Sequence, residues 1–313
     1  MRISVAIPIL DEAETLPVLA ERLRAVLEAI SADWEVLFVD DGSTDGSWEV
    51  MGRLHEQDGR FAGVRLSRNF GHQPACTAGL QHVTGDVVVL MDGDLQDPPE
   101  LIPELVGKMA EGYDVVYAVK RGRKEGFLKR LAFDEFYRVQ TRLSSVPMVE
   151  GAGTFSAMSR RVVDCVNAMP EGHRYISGLR AFAGFRQAGI PFDRPARAGG
   201  TPRQTPAKLM QLALDGIFSF SHLPVRLAMW LGVITAVVAL GVTLVVLYFH
   251  FFTDKAITGW TSTMVSHLFL GAVQLLCLGI LGEYIARIYD EVRHRPHYIV
   301  ADSIPPAGAA PPG

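Results

Sequence analysis

The chain has 313 residues, 49% of them hydrophobic, and its formal net charge is −4. This length and apolar content are enough to bury a full core, while the weakly acidic charge excludes a general nucleic-acid-binding surface. The three cysteines, Cys76, Cys165 and Cys277, are too far apart for a zinc knuckle or a disulfide framework. They indicate small buried side chains in a reducing compartment.

Three apolar runs near the start of the chain each lead into acidic or turn residues. These runs are 3–8, 34–39 and 86–91, and the residues that follow them are Asp11-Glu12, Asp40-Asp41-Gly42 and Asp92-Gly93-Asp94. Amphipathic segments such as 16–30 lie between the runs, so the pattern predicts βαβ units of a parallel sheet. The acidic residues should then share the edge formed by the carboxyl ends of the strands, where open α/β sheets bind ligands.

Asp92 and Asp94 are the most informative residues of the chain. Two carboxylates at this spacing, just past a buried strand, can hold one hard divalent cation whose remaining ligands are phosphate oxygens. The same short motif also occurs in solvated loops, and the motif alone leaves that alternative open.

The C-terminal third has the composition of a membrane hairpin. Residues 227–252 contain no Asp, Glu, Lys or Arg, and a second apolar run covers 264–282. The first run exceeds the ~20 residues that a helix needs to cross a bilayer, and the second meets this requirement closely. Arg226 precedes the first run, and Arg287, Arg293 and Arg295 follow the second. By the positive-inside rule both flanks are cytoplasmic and the connecting loop faces outward.

These features predict four regions. We expect a cytoplasmic catalytic domain at 1–205, an amphipathic interfacial helix at 206–225, a transmembrane hairpin at 226–285, and a basic cytoplasmic tail at 286–313. The Pro/Ala/Gly-rich end of this tail, 304–313, should be disordered. An ordinary packed linker helix is the alternative for the second region.

Several sequence blocks carry a resemblance to a known family. Pro8-Ile9-Leu10-Asp11-Glu12, Val39-Asp40-Asp41-Gly42-Ser43, Arg68-Asn69-x-Gly71-His72 and the segment 92–100 resemble the inverting GT-A glycosyltransferases of family 2. Within that family, the blocks 282–289 and 295–298 resemble the polyisoprenyl-phosphate glycosyltransferases, including bacterial O-antigen glucosylation enzymes and the undecaprenyl-phosphate aminoarabinose transferase. The resemblance implies an α/β fold, a GT-A nucleotide-diphospho-sugar transferase domain with a Rossmann-like mixed sheet, followed by an interfacial helix and two transmembrane helices.

The resemblance also implies a donor site and its cofactor. The family's metal site maps to Asp92, Asp94 and Gln96, with Mg²⁺ or Mn²⁺ as the ion and Asp94 as a catalytic residue. The family's nucleotide-sugar contacts map to Pro8, Glu12, Asp40, Asp41, Asp92 and Thr154. Asp45 is either a further contact or the N-cap of the following helix.

Basic residues are expected to bind the acceptor phosphate. These are Lys120, Arg121, Arg203 and Lys208, and both Arg123 and Arg203 are further expected to act in catalysis. Two alternatives stay open: Lys120 to Arg123 form a solvated basic turn, or Arg203 and Lys208 only contact lipid headgroups.

The chain departs from the family pattern at three places. Thr154 stands where relatives commonly carry aspartate, the loop at 121–127 is one residue shorter, and residues 200–204 differ from the usual Gly-Glu-Ser-Lys-Tyr. A phosphate monoester has its second pKa near 6 and is already anionic at neutral pH, so the acceptor needs no general base. The change at Thr154 therefore bears on sugar positioning more than on activity.

The implied function is inverting transfer of one hexose from a nucleotide sugar, a UDP-sugar such as UDP-glucose, to undecaprenyl or another polyisoprenyl phosphate. We expect a multi-pass protein of the bacterial inner membrane, with the catalytic domain in the cytoplasm, that contacts membrane lipids and no nucleic acid. The resemblance further implies a homo-oligomer, a tetramer among the options, and a flippase and a downstream glycosyltransferase as partners. The alternatives are a processive polysaccharide synthase and a non-catalytic nucleotide-sugar-binding scaffold.

Overall fold

A computed structural model describes residues 1–120, 152–172, 174–193, 223–252 and 259–306. The chain forms two compact units: Met1–Leu209 together with Arg295–Gly313, and Met210–His294. The first unit holds a mixed α/β sheet, and the described part of the second holds two long helices.

The strands and helices of the first unit alternate along most of the chain. The strands are β1 (Ile3–Ile9), β2 (Trp34–Asp40), β3 (Phe61–Leu66), β4 (Val87–Leu90), β5 (Val115–Lys120), β6 (Ala152–Ser159), β7 (Gln187–Phe192) and β8 (Val300–Ile304). The helices are α1 (Leu16–Ile30), α2 (Ser47–Gln57), α3 (His72–His82), α4 (Ile102–Met109), α5 (Arg160–Ala168) and α6 (Ile176–Phe182), and a 3₁₀ turn at Pro99–Leu101 precedes α4.

The sheet order is β7-β5-β6-β4-β1-β2-β3-β8. The four strands β4, β1, β2 and β3 are parallel neighbours, whereas β6 runs antiparallel to β4 and β5. Ile9 pairs with Asp40, and Ala6 pairs with Leu90, so the carboxyl ends of β1, β2 and β4 meet at one edge. The expected mixed sheet and its acidic edge are both confirmed.

The central strands are apolar on both faces because helices cover both sides of the sheet. Val5 and Ile7 of β1 belong to the cluster that packs with α1, while Ala6 belongs to the cluster that packs with α3. A Cβ added at Gly79 of α3 would lie 2.9 Å from the Ala6 Cβ, so glycine permits this close approach of helix and strand.

The edge strand β8 was not predicted from the sequence. It pairs antiparallel with β3, and the Ser67 N–H donates to the Ile299 carbonyl at 2.8 Å just before it. The Tyr298 hydroxyl donates to Gln81 Oε1 of α3 at 2.6 Å. Residues 295–306 of the predicted tail therefore belong to the catalytic unit, whereas residues 286–294 belong to the second unit. The expected disorder is wrong at Ile304, which ends β8, and residues 307–313 lie outside the described residues.

The second unit contains α7 (Leu223–Phe252) and α8 (Trp260–Val292). At 1.5 Å per residue these helices are about 45 and 50 Å long, more than the ~30 Å of a bilayer core. Within the described residues, one stretch, Phe269–Val292, is long and apolar enough to cross a membrane, and α7 contributes a shorter apolar stretch, Ala228–Val242. The predicted end of the hairpin at residue 285 falls inside α8, which continues to Val292.

Candidate active site

The Asp92-Gly93-Asp94 segment lies against the carboxyl end of β1. The Met91 N–H donates to the Ala6 carbonyl at 3.2 Å, which extends the pairing of β4 with β1. A Cβ at Gly93 would lie 2.4 Å from Ile9 Cδ1 and 3.4 Å from the Pro8 carbonyl oxygen, so a larger residue would require the Ile9 side chain to move. The sequence-predicted residues Pro8, Asp92 and Asp94 therefore lie together.

Backbone contacts shape the turn that follows. Asp94 Oδ1 accepts a hydrogen bond from the Gln96 N–H at 3.1 Å, and Leu95 between them has φ +60°. This left-handed conformation is uncommon for leucine and indicates a constrained turn. The buried Asp97 accepts from the Asp92 N–H at 3.1 Å through Oδ2. Asp97 thus fixes the turn, a role that sequence reasoning did not assign.

His72, the first residue of α3, contacts the same carboxylate. Its Nε2 lies 2.9 Å from Asp92 Oδ1. Contacts with the Cys76 sulfur and with the Asp92 carboxylate raise the pKa of His72 above its ordinary value, although burial lowers it. Burial also raises the pKa of the Cys76 thiol, so this thiol is neutral at pH 7 and Asp92 is the charged partner of the imidazole. This bond links His72 directly to the site.

Asp40 and Asp41 hold the loops at the end of β2. Asp41 accepts from the Phe70 N–H at 2.7 Å and from the Gly71 N–H at 2.9 Å, one on each carboxylate oxygen. Burial raises the pKa of Asp41 despite these bonds. Asp40 is fully buried; its Oδ1 accepts from the Ser43 N–H at 2.8 Å, and its Oδ2 lies 3.3 Å from Arg65 Nε. Both residues lie at the predicted edge, and their contact with a nucleotide stays a prediction.

Hydrogen bonds join the loop after β1 to the loop after β2. Asp11 Oδ1 accepts from the Thr44 N–H at 2.9 Å, and Asp45 Oδ2 accepts from the Ala13 N–H at 2.9 Å. Asp45 Oδ1 also accepts from the N–H of Ser47, the first residue of α2, at 3.0 Å. The N-cap of α2 is Gly46, so the expectation that Asp45 is the N-cap is wrong by one position, although Asp45 binds the first N–H of the helix. Glu12 lies in the same region, where it accepts from the Thr15 hydroxyl at 3.1 Å.

Thr154 and Lys120 border the same edge from the other side. Leu90 of β4 pairs with Ser156 of β6, and extending this antiparallel register by two residues brings Thr154 level with Asp92. Lys120 ends β5, and its Nζ would lie 3.8 Å from a Cβ added at Gly153. The structure thus brings Thr154 and Lys120 to the edge that holds Asp92 and Asp94.

Arg121, Arg123, Arg203 and Lys208 lie outside the described residues, as does the predicted interfacial segment up to residue 222. Their roles stay predictions.

The donor atoms at the β4 end suit a magnesium or manganese ion. In the described part of the chain, no three His, Cys, Asp or Glu side chains are grouped to enclose a metal. Asp92, Asp94 and the amide of Gln96 offer oxygen donors, which these hard cations prefer, and so few protein ligands leave positions for diphosphate oxygens. The residues therefore fit an ion held jointly by protein and substrate.

Comparisons with known proteins agree with this arrangement. Residues 4–166 match glycosyl transferase family 2, and residues 223–288 match the GtrB C-terminal hairpin. The uncharacterized glycosyltransferase YkcC of Bacillus subtilis is 39% identical, over 96% of this chain and 93% of its own. The SfII prophage-derived bactoprenol glucosyl transferase of Shigella flexneri is 37% identical (97% and 98%), and the prophage bactoprenol glucosyl transferase homologue of Escherichia coli K12 is 36% identical (96% and 98%).

Solved structures show a more distant likeness. Glucosyl-3-phosphoglycerate synthase from Mycobacterium tuberculosis, crystallised with Mn²⁺, UDP and phosphoglyceric acid, is 21% identical and has a TM-score of 0.48 over 69% of this chain and 74% of its own. The family match covers half of the chain, and the curated relatives match nearly all of it. This chain is therefore an enzyme of glycosyl transferase family 2, with a GT-A catalytic unit and a GtrB C-terminal hairpin.

Proposed function

We propose that this enzyme transfers one hexose from a UDP-sugar, such as UDP-glucose, to undecaprenyl or another polyisoprenyl phosphate, with inversion at the anomeric carbon. The product would be a lipid-phosphate-sugar that donates the sugar for modification of a cell-envelope glycan. The observation that carries the proposal is the extent of the similarity to bactoprenol glucosyl transferases, which runs through both the catalytic unit and the hairpin.

The carboxylates at the β4 end support the donor half of the reaction. Asp92, Asp94 and Gln96 would hold Mg²⁺ or Mn²⁺, and the ion would neutralise the charge that builds on the departing nucleoside diphosphate. His72 and Asp97 hold Asp92 from two sides, at its carboxylate and at its backbone N–H. This preorganisation lowers the cost of aligning the site during the reaction.

The acceptor half of the reaction needs an oriented phosphate more than a base. The phosphate monoester is an anionic oxygen nucleophile at neutral pH because its second pKa is near 6. Lys120 at the end of β5 is suited to hold that anion, and Thr154 is suited to contact the sugar by hydrogen bonding. Catalysis then consists of orientation and charge stabilisation, without a covalent nucleophile.

The order of the units along the chain supports a hairpin with two crossings. The catalytic unit includes residues before and after the helical unit. A chain that leaves a unit on one side of a membrane and returns to it must cross an even number of times. Because α8 contains one suitable stretch, α7 would supply the other crossing, with the catalytic unit on the cytoplasmic face.

Transfer to lipid tests the proposal directly. Membranes that contain the enzyme are incubated with polyprenyl phosphate and a panel of labelled UDP- and GDP-sugars, and the lipid is extracted and counted. We expect label in the lipid from one UDP-sugar, sensitive to mild acid as a sugar phosphate should be, and none from membranes with an Asp92→Asn, Asp94→Asn variant. Absence of lipid-linked label from every donor, with folded enzyme, would contradict the proposal.

A further inference from the structure

Arg180 of α6 is a buried arginine with an incomplete set of partners. It is 2% exposed, and its Nη2 donates to the Gly153 carbonyl at 3.3 Å. Its Nε and Nη1 are buried and make no hydrogen bond with any described residue. A buried guanidinium normally uses its donors, because leaving one unpaired costs about 1–3 kcal/mol.

No carboxylate among the described residues accounts for this charge. Burial lowers the pKa of Arg180 to about 10, and the groups that oppose the shift are the phenols of Tyr175 and Tyr117. The guanidinium carbon lies 5.1 Å from the centre of the Tyr117 ring. A ring face attracts a cation, but it does not neutralise the charge as a carboxylate does. Arg180 is thus a buried cation without a counter-ion in the described part of the chain.

Arg174 shows how the same fold uses a structural arginine. It is 6% exposed, and it donates to the Met169 carbonyl at 2.6 Å and to the Val166 carbonyl at 2.7 Å. These carbonyls belong to the end of α5, so Arg174 caps that helix. Arg174 Nε also lacks a hydrogen-bond partner, but two other nitrogens of Arg174 are used, whereas Arg180 makes a single long bond and caps no helix.

The position of Arg180 suggests the missing anion. Gly153, which accepts its hydrogen bond, adjoins Thr154, the residue level with Asp92 across the β4–β6 pairing. Lys120 approaches Gly153 as well, with its Nζ 3.8 Å from the position of an added Cβ. Two cationic side chains therefore border the start of β6, one strand away from the carboxylates proposed for the donor diphosphate.

We propose that Arg180 and Lys120 form an oxyanion-binding site at the start of β6 and that its ligand is the phosphate monoester of the acceptor lipid. In a protein interior a charge acts across several ångströms, so Arg180 favours the phosphate even where the peptide of Gly153 stands between them. This inference rests on the function proposed above, and it names a residue for the acceptor half of that reaction.

Three variants separate this role from a structural one. Arg180→Met removes the charge and keeps much of the volume, Arg180→Lys keeps the charge, and Arg174→Met is the matched control.

Thermal unfolding of the full-length protein in detergent is measured with and without farnesyl phosphate. We expect Arg180→Met to be at least as stable as the wild type without ligand, because an unpaired buried charge is removed. We also expect it to lose the stabilisation by farnesyl phosphate while keeping that by UDP with Mn²⁺. Arg174→Met should lose stability and keep both responses.

Kinetics then identify the substrate on which Arg180 acts. Arg180→Met should raise the KM for polyprenyl phosphate about tenfold with little change for the nucleotide sugar, and Arg180→Lys should recover part of the loss. A rise in KM for the nucleotide sugar alone would overturn the acceptor assignment. Loss of stability like that of Arg174→Met, with an unchanged response to farnesyl phosphate, would overturn it as well. The unfolding measurement needs no turnover, so it tests Arg180 even if no donor sugar supports transfer.

Discussion

Asp92 and Asp94 differ in how the protein holds them. Asp92 is fixed through both its carboxylate and its N–H, whereas Asp94 is tied to the adjacent Gln96 N–H within one tight turn. Asp92 is therefore suited to orient the site, and Asp94 is suited to be the direct ligand of the ion. This division of roles can be tested at each residue separately.

Asp94→Asn should lower transfer by at least about a hundredfold and leave the protein folded and membrane-bound, because the change removes a ligand charge and keeps the shape. The measurement is lipid-linked label from the active donor sugar, with circular dichroism as the check of folding. Glu111→Gln, at an exposed position, is the control and should have full activity. Turnover by the wild type in excess EDTA would show that the ion is not required.

Thr154→Ala should retain measurable transfer, because the acceptor already carries its anionic oxygen. The wild-type and variant rates should both rise with pH as the acceptor loses its second proton near pH ~6. The check is a rate profile between pH 5 and 8 at saturating donor. An inactive Thr154→Ala enzyme with intact folding would mean that the hydroxyl takes part in the chemistry.

Glu35 lies at the opposite end of the sheet and bears on stability alone. It is 3% exposed, and it accepts from the Ser4 hydroxyl at 2.6 Å, from Thr84, and from Arg2 Nη2 at 2.6 Å. Burial raises the pKa of Glu35, but these bonds outweigh it and the pKa is below its ordinary value. The stabilisation is thus present above the unfolded-state pKa of ~4.3 and is lost as the pH falls through the lower folded-state value.

Glu35→Gln should therefore destabilise the catalytic unit by about 1–3 kcal/mol at pH 7, since an amide donor would then face Arg2. The difference from wild type should shrink between pH 5 and pH 3. Urea unfolding at each pH gives the two free energies. A difference that stays constant with pH would show that the carboxylate charge is not the stabilising feature.

At the scale of helices and strands, the strands were predictable where the pattern was local. The runs at β1, β2 and β4 are continuous and apolar because helices cover both faces, and each run leads into acidic residues. Strand β8 has no such signal, since Val300–Ile304 is mostly exposed and acquires its structure by pairing with β3. The antiparallel insertion of β6 between β4 and β5 is equally long-range, and no local pattern specifies it.

The candidate active site, too, could be predicted from the sequence only where a local pattern determines it. The sequence predicted that the carboxylates share an edge, because parallel strands align their ends. It could not predict that Asp41 binds the N–H groups of Phe70 and Gly71, or that His72 reaches Asp92, because these contacts depend on how the connecting loops fold. One residue in the sequence reflects this packing, namely the glycine at position 42. Gly42 has φ +76°, and a Cβ there would lie 2.7 Å from the Asn69 nitrogen, so the approach of the two loops requires glycine.

Removal of residues 299–313 should destabilise the edge of the sheet. Without β8, the N–H and carbonyl groups of β3 on that side lose their partners, and the Gly63 region loses its cover by Ile304. We expect faster amide hydrogen exchange in β3 and a lower Tm. Removal of only 307–313, which leaves β8 intact, is the control, and equal behaviour of the two truncations would count against a structural role for β8.

For the whole molecule, the decisive question is the membrane topology. In a variant without native cysteines, Ser262→Cys between α7 and most of α8 should react with an impermeant maleimide added to the periplasmic side. Asp302→Cys in β8 should react only after the membrane is opened, because it belongs to the catalytic unit. The reverse pattern would place the active site on the outer face and rule out transfer from cytoplasmic nucleotide sugars.

The edge strand also sets the order in which the enzyme can be completed during synthesis. The ribosome makes β3 early, and it makes β8 only after the whole of α7 and α8 has emerged. The free edge of β3 therefore stays unpaired until both long helices and the segment that forms β8 have been made. Such a late, distant pairing is slow to form and exposes an edge prone to association in the meantime. A nascent catalytic unit thus gains its last strand only after both long helices have been made.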